Sequence, residues 1–269
     1  MEQKIYAVGG GQMLEAILKA SIEGNTSHSA NFYVVDISPE RVDYLRNTYQ
    51  IEASTSLNQG KVLEADIVLL GVRPQDNWSD LLKELAAINN QAQYISIIAG
   101  VTIRQLQTAS LQKDLPIVRV IPNTLTLTGL GYSGVSVNQF VKKELVSDFL
   151  TSFGKVTYIP EEQFDVFTGY GIAGPNYIYN FYLALANAGV LNGLSREQAN
   201  ALALENLKGA VAMLEMTGKH PYELLDANNS AGGVGISAQH ELDQSDFSGA
   251  IQRAVTAAVK RTSELGGEK

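Results

Sequence analysis

Three consecutive glycines, Gly9–Gly11, are the first residues of the chain whose types and spacing suggest a chemical use. A short run rich in strand formers precedes them, and an apolar helix pattern follows at once. Glycine permits a sharp turn and lets phosphate oxygens approach the backbone without meeting a Cβ atom. The helix N-terminus behind such a turn carries partial positive charge. We therefore predict that Gly9 and Gly11 belong to a pyrophosphate-binding turn.

Leu14 occupies the third small-residue position of the Gly-x-Gly-x-x-Gly/Ala dinucleotide fingerprint. We expect this side chain to alter how closely the first helix packs on the sheet, and to lower the affinity for the cofactor.

Asp36 closes the second predicted strand, 27 residues after Gly9. An acid at this place in a dinucleotide-binding unit accepts hydrogen bonds from the adenosine ribose hydroxyls. Its charge repels a 2′-phosphate, so it favours NADH over NADPH. The structural alternative is a carboxylate that only caps the helix beginning at Ser38-Pro39.

Two further predicted strands end in residues that would lie along a bound cofactor. Val72, Arg73 and Pro74 follow one of these strands, and Ala99 and Gly100 follow the next. Small residues there would let a ribose or a nicotinamide approach the backbone, although ordinary turns use Gly and Pro in the same way.

A second concentration of glycine lies in residues 229–235, just before another predicted helix. Backbone N–H groups at that helix terminus could hold a carboxylate. The candidate substrate-binding residues are Ser230, Gly232, Gly233, Val234 and Gly235. The alternative is a glycine-rich connection between two helices.

Several kinds of catalytic site are excluded by composition and spacing. The chain has no cysteine, which rules out disulfides, thiolate metal sites and cysteine nucleophiles. No His/Asp/Glu group has metal-ligand spacing, and no Gly-x-Ser-x-Gly turn occurs. We assign no metal and no catalytic side chain.

The elements that must position these residues change in type near Pro160. Before it, buried strands alternate with helices about six times, which predicts an α/β fold with a doubly wound parallel sheet. Ligands of such sheets bind at the carboxyl ends of the strands. After it, only helix patterns occur. We predict a dinucleotide-binding domain over residues 1–160 and an all-α dimerisation and substrate domain over 161–269.

The amino-acid composition indicates which classes of binding partner to expect. The 269 residues are 45% apolar and carry a net charge of −8, with no run of five basic residues, so nucleic acid is not an expected partner. The chain shows no signal-peptide pattern and no apolar run of about 18 residues. We expect a cytoplasmic protein that does not bind membranes. The Ala-rich helices of the second half indicate a homo-oligomer, a dimer or a multiple of dimers.

Several of these segments together resemble the pyrroline-5-carboxylate reductases. The similar segments span nearly the whole chain and are residues 9–13, 72–75, 96–101, 119–124, 174–177, 184–190 and 230–236. The resemblance implies a Rossmann domain followed by a helical domain that interlocks two subunits. It implies hydride transfer from NAD(P)H to a cyclic imine carboxylate, giving L-proline. It also implies cofactor contacts by Gln12, Met13 and Asn58.

The sequence departs from the family pattern in three places. Asp36-Ile37 stands where the family has Asn-Arg, which suits a 2′-phosphate, and this difference predicts a preference for NADH. Gly171-Ile172-Ala173 replaces Ser-Gly-Ser. In the second glycine segment, Ala231 replaces Pro and Gly235 replaces the Thr that is expected to hold the substrate carboxylate.

These departures leave two alternatives open: a non-catalytic or regulatory paralogue of the family, and an imine reductase with a different cyclic substrate. A β-hydroxyacid dehydrogenase of the 6-phosphogluconate type is disfavoured. Such enzymes need a lysine on the helix entering the second domain, and residues 161–207 contain none.

Overall fold

The computed structural model describes residues 3–24 and 28–265. By Cα packing, the chain divides into two compact units. The first unit is Met1–Ile172 together with Ala258–Lys269, and the second is Ala173–Ala257.

A single eight-stranded sheet forms the centre of the first unit, in the order β3-β2-β1-β4-β5-β6-β7-β8. Its strands are β1 (Ile5–Val8), β2 (Phe32–Val35), β3 (Glu52–Ser54), β4 (Ile67–Leu70), β5 (Gln93–Ser96), β6 (Ile117–Pro122), β7 (Tyr132–Val137) and β8 (Lys155–Tyr158). Strands β1 to β6 pair in parallel. Both faces of β1 and β4 are buried, which explains their continuous apolar sequences.

The sheet is mixed, so the expectation of a wholly parallel sheet was wrong at one edge. Strand β7 runs antiparallel to β6, and β8 is parallel to β7. A parallel pair needs a crossover of about a dozen residues or more. Only a short link with the 3-10 turn Thr124–Thr128 separates β6 from β7, so the chain can only reverse. The short edge strand β3 was not predicted, because its Glu-Ala-Ser sequence contains no strong strand former.

Twelve α-helices accompany the sheet in the described chain. They are α1 (Gln12–Glu23), α2 (Pro39–Tyr49), α3 (Gln59–Leu63), α4 (Trp78–Ile88), α5 (Ile103–Ser110), α6 (Lys143–Ser152), α7 (Phe164–Phe167), α8 (Gly174–Leu191), α9 (Arg196–Thr217), α10 (Pro221–Ala227), α11 (Val234–Gln244) and α12 (Phe247–Leu265). A π-helical turn, Thr168–Ile172, joins α7 to the segment before α8. The predicted fold class, a Rossmann-like sheet followed by a helical domain, is confirmed.

Two hydrophobic cores lie on the two faces of the sheet, as the period of two along each strand requires. Ile5 and Ala7 of β1 face one core, which α1, α2 and α6 cover. Tyr6 and Val8 face the other core, which α3, α4 and α5 cover. The strand ends between these layers are therefore held rigidly.

The helices of the second unit bury few of their own side chains. In α8 and α9 the buried residues are Pro175, Ala186, Ala199 and Ala203. Large apolar side chains of both helices are exposed in the single chain, among them Leu191, Leu204 and Val211. Helices that are apolar on several sides normally have those sides covered. None of the helices among residues 3–24 and 28–265 is long and apolar enough to cross a membrane.

Candidate cofactor cleft

A cleft of about 550 Å³ opens at the carboxyl ends of β1, β2 and β4 in the first unit. Its lining residues are Val8, Gly9, Gly11, Val35, Asp36, Ile37, Thr55, Leu57, Gly71, Val72, Arg73, Asp76, Asn77 and Leu81. The edge at which parallel strands end is where open α/β sheets bind ligands. The cleft thus lies where the sequence predicted a binding site.

The glycine turn between β1 and α1 is held by close backbone packing. Gly9 has φ of +92°, and a Cβ atom there would lie 2.6 Å from the carbonyl oxygen of Gly71. Gly11 differs, because it is the N-cap of α1 with ordinary extended backbone, and a Cβ atom there would meet nothing within 4 Å. Gly9 is therefore required by the fold, whereas Gly11 leaves open space at the N-terminus of α1.

Asp36 lines the cleft and also accepts hydrogen bonds from two backbone amides. Its Oδ1 accepts a hydrogen bond from the Ser38 amide at 2.9 Å, next to the start of α2. Its Oδ2 accepts one from the Gly10 amide at 2.6 Å, so the carboxylate also fixes the glycine turn. An ionised carboxylate has about four acceptor sites, so Asp36 keeps acceptor capacity for ribose hydroxyls while lining the cleft.

No positive charge follows Asp36 at the next position. Ile37 is 89% exposed and lines the cleft beside the carboxylate. Arg73, also in the lining, is paired with Asp76, whose Oδ1 lies 2.8 Å from its Nη2. Asp76 further accepts the Arg73 amide at 2.9 Å. This guanidinium holds the pKa of the Asp76 carboxyl below its usual range.

Arg41, on the first turn of α2, contacts the glycine turn from its other side. Its Nε donates to the Gly10 carbonyl oxygen, and its Nη2 pairs with Glu15 Oε2 on α1. Glu15 Oε1 accepts hydrogen bonds from the phenols of Tyr44 at 2.9 Å and Tyr49 at 2.8 Å. Burial alone would raise the pKa of Glu15, but the hydrogen bonds from Arg41 and the two phenols outweigh burial and lower it.

Asn58 serves as the N-cap of α3, where its Oδ1 accepts the Lys61 amide at 3.2 Å. The Asn58 amide donates to the phenol oxygen of Tyr6 at 3.1 Å. Burial raises the pKa of that phenol to about 12, so it stays neutral. Its neighbour Leu57 lines the cleft, while Asn58 itself is outside the immediate lining.

The eleven residues proposed from the sequence to bind a cofactor separate into two groups. Gly9, Gly11, Asp36, Val72 and Arg73 line the cleft. Gln12, Met13, Asn58, Pro74, Ala99 and Gly100 lie outside its immediate lining.

Nine residues of the lining were not proposed from the sequence to bind the cofactor, namely Val8, Val35, Ile37, Thr55, Leu57, Gly71, Asp76, Asn77 and Leu81. Thr55 and Leu57 follow the short strand β3, which carried no pattern. Pro74 could have drawn attention to the turn that ends at Asp76, since proline is favoured at the second position of β-turns.

Leu14 is 2% exposed and belongs to the core beneath α1. A Cβ atom on Gly71 would lie 3.4 Å from its Cδ1 and 3.2 Å from the Gly9 oxygen. A large third residue therefore fits because the facing strand end carries a glycine. Its expected effect on cofactor affinity stays a prediction.

In the second unit, the glycine segment is partly helical. The sequence predicted that the helix would follow residues 229–235, which was wrong by two residues: α11 begins at Val234 with Gly233 as its N-cap, so Gly235 lies in the first turn. A Cβ atom on Gly235 would lie 2.6 Å from Asn229 Oδ1 and 2.8 Å from the Asn228 oxygen. This segment has no room for a threonine side chain at position 235 in its present arrangement.

Within residues 3–24 and 28–265, no group of three His, Asp or Glu side chains could hold a metal ion. The donor set of the cleft fits a dinucleotide instead. Gly11 leaves space for phosphate oxygens, the first amides of α1 lack carbonyl partners within the helix, and Asp36 presents acceptors to a ribose. The fold and the cleft together define a Rossmann-type, dinucleotide-binding protein.

Comparison with known proteins identifies the family. The family model for pyrroline-5-carboxylate reductase dimerisation matches residues 161–265, and that for NADP oxidoreductase, coenzyme F420-dependent, matches residues 4–100. Pyrroline-5-carboxylate reductase from Synechocystis sp. is 34% identical over 99% of both chains. The enzyme from Corynebacterium melassecola is 36% identical over 97% of this chain and 98% of its own. The chain belongs to the pyrroline-5-carboxylate reductase family, as its sequence motifs predicted.

Solved structures agree with this assignment. A pyrroline-5-carboxylate reductase from Coxiella burnetii superposes with a TM-score of 0.88 at 27% identity, covering 98% of this chain and 99% of its own. The Plasmodium falciparum pyrroline carboxylate reductase, solved with NADP bound, gives 0.85 at 28% identity, covering 98% of each chain.

Proposed function

We propose that this protein is an NAD(P)H-dependent reductase that converts pyrroline-5-carboxylate to L-proline, and that it prefers NADH. The observation that carries the proposal is the cleft. It combines an open glycine at a helix N-terminus with a carboxylate at the end of β2, in a chain of this family.

The proposed reaction asks little of side-chain chemistry. A bound reduced nicotinamide would supply the hydride, and a cyclic imine nitrogen is readily protonated. The protein must fix distance and angle and neutralise the substrate carboxylate. A site without an assigned catalytic side chain is consistent with these demands. The first amides of α11, at Val234 and Gly235, are our candidates for the carboxylate, together with Ser230, Gly232 and Gly233.

The preference for NADH rests on charge at the end of β2. Asp36 faces the cleft, and the exposed side chain after it, Ile37, is apolar. A 2′-phosphate would meet a carboxylate without a neighbouring cation at that position. Both Arg41 and Arg73 are already paired with carboxylates.

We also propose the assembly and location of this enzyme. Residues 1–160 would form the cofactor domain, and residues 161–269 would form the substrate domain and the homodimer contact. The match of the dimerisation family to residues 161–265 supports the second assignment. A cytoplasmic location completes the proposal.

The activity is tested by following NADH oxidation with pyrroline-5-carboxylate as substrate and measuring the L-proline formed. We expect turnover with stoichiometric proline. NADH binding without turnover on this substrate would contradict the assigned substrate. Absence of cofactor binding would favour a regulatory paralogue.

The cofactor preference is tested by Asp36→Asn. We expect the KM for NADH to rise about tenfold, because the ribose loses a charged acceptor worth about 1.5–3 kcal/mol. The KM for NADPH should rise less or fall, since repulsion of its 2′-phosphate is removed. The control is Asp43→Asn, which removes the charge of an exposed carboxylate on α2. Equal or better kcat/KM with NADPH in the unaltered protein would contradict the preference.

A second candidate, reduction of a different cyclic imine, is favoured by one observation. Gly235 lacks the hydroxyl of the family threonine, and Asn228 and Asn229 fill the space next to it. A site that holds the substrate carboxylate by backbone amides alone would also accept substrates that differ near that carboxylate. Comparing kcat/KM for pyrroline-5-carboxylate with that for a six-membered cyclic imine carboxylate separates the two candidates.

A further inference from the structure

We propose that Glu15 is a specificity-determining positioning residue, which keeps Arg41 from binding the 2′-phosphate of NADPH. This inference rests on the proposed function, because it concerns how the same cleft selects between two cofactors. It assigns the selectivity to a residue on α1 in addition to Asp36 at the end of β2.

Arg41 contacts the glycine turn but is outside the immediate lining of the cleft. It lies on the first turn of α2, three residues after Ser38, whose side chain accepts the Arg41 amide at 3.3 Å. Its Nε binds the carbonyl of Gly10, and the amide of the same Gly10 binds Asp36. Arg41 and Asp36 therefore contact one residue of the glycine turn from two sides.

Glu15 holds the Arg41 side chain in that orientation. Its Oε2 pairs with Arg41 Nη2, and the two side chains are 18% and 24% exposed. Water screens a pair of this exposure only in part, so the two charges offset each other. The Tyr44 ring lies 5.0 Å from the Arg41 Cζ, which adds a cation–π contact on the outer side.

Two phenols fix the carboxylate in turn. Tyr44 and Tyr49 both donate to Glu15 Oε1, so each carboxylate oxygen of Glu15 is engaged. These contacts lower the pKa of Glu15, which keeps it charged at neutral pH. The arrangement offsets the charge of Arg41, a cation that shares Gly10 as a hydrogen-bond partner with Asp36.

The matched substitution is Glu15→Gln, which keeps the shape and an oxygen acceptor for the phenols but removes the charge. Arg41 then carries an uncompensated charge beside the glycine turn. Because a 2′-phosphate carries about −1.5 to −2 charges, we expect the Kd for NADPH to fall about fivefold relative to that for NADH. The pyrophosphate is common to both cofactors, so a purely structural effect would move both Kd values together.

The experiment measures both Kd values by calorimetry on the full-length protein at low and moderate salt. The gain for NADPH should shrink with salt, as expected for a partly exposed charge. The double variant Glu15→Gln/Arg41→Gln should lose the gain, because its effect requires the guanidinium. Glu23→Gln, at the far end of α1, serves as the charge-matched control and should leave the ratio unchanged.

The failure of this inference differs from the failure of the proposed function. If the unaltered protein binds NADPH as tightly as NADH, the proposed preference is wrong. If the unaltered protein prefers NADH but Glu15→Gln leaves the Kd ratio unchanged, the role of Glu15 is wrong. A gain that persists in the double variant also overturns it.

Discussion

At the scale of single residues, Gly9 and Gly11 of the glycine turn differ in why glycine is present. Gly9 has a positive φ and packs against the backbone of Gly71, so any side chain there is strained. Gly11 has ordinary backbone angles and open space where a Cβ would be. The fold requires glycine at position 9, whereas no contact in the part of the chain that the structure describes requires glycine at position 11.

Substitution of Gly11 by Ala tests this difference. We expect Gly11→Ala to leave the melting temperature within a few degrees, because the methyl group meets no protein atom. The Kd for NADH should rise about tenfold, since the methyl group occupies space that phosphate oxygens need. Calorimetry and thermal unfolding measure the two effects.

The comparison variant is Gly9→Ala, which should lower the melting temperature, because its methyl group would overlap the Gly71 backbone. A Gly11→Ala protein that binds NADH normally would show that phosphate does not approach this position.

At the scale of elements, the ion pair of Arg119 and Glu161 connects β6, the start of α5 and the segment after β8 in the first unit. Arg119 on β6 is 5% exposed, and its Nη1 lies 2.8 Å from Glu161 Oε1. The same oxygen accepts the Ile103 amide at the start of α5, also at 2.8 Å. The Arg119 Cζ stacks 4.3 Å from the ring of Phe164 on α7. One guanidinium thus joins the sheet to the segment that follows the last strand.

We expect Arg119→Ala to destabilise the protein by about 2–3 kcal/mol, because it leaves the partly buried Glu161 carboxylate with only the Ile103 amide among the described residues and removes the packing on Phe164. Arg104→Ala, an exposed arginine on α5, should change stability by no more than about 0.5 kcal/mol. Urea unfolding followed by circular dichroism measures both. A loss below about 1 kcal/mol for Arg119→Ala would show that water replaces the pair without cost.

At the scale of the whole molecule, the exposed apolar side chains of the second unit require a covering surface. Leu204 and Val211 are seven residues apart on α9 and therefore lie on one face of that helix. About half of each side chain is exposed in the single chain. The matched dimerisation family makes a second copy of the chain the expected cover.

The double variant Leu204→Glu/Val211→Glu tests this expectation. Two carboxylates in an apolar contact are costly, so the dimer dissociation constant should rise at least about a hundredfold. Light scattering after size exclusion gives the mass. Leu63→Glu, an exposed apolar residue on α3, is the control and should leave the mass unchanged. A double variant with unaltered mass would place the dimer contact elsewhere.

The sequence by itself determined the order of most strands and helices and several residues of the cleft. The sequence pattern of residues 78–88, 221–227 and 247–265 predicts helices, and these ranges coincide with α4, α10 and α12. Ser195 and Gln198 have the spacing of a capping box, which predicts a helix start, and both of its hydrogen bonds are present before α9. Gly9, Gly11 and Asp36 were identifiable because glycine turns and strand-end acids have fixed spacing in such units.

Only the tertiary structure decided the neighbours of Asp36 and the hydrogen-bond partners of Arg41. Both depend on contacts between residues far apart in the chain. The Gly10 amide is 26 residues from Asp36, and Glu15 is 26 residues from Arg41. Local periodicity carries no information about such pairs, since packing of α1 beside α2 on one face of the sheet brings them together. For the same reason, Thr55 joined the cleft without any signal in the sequence.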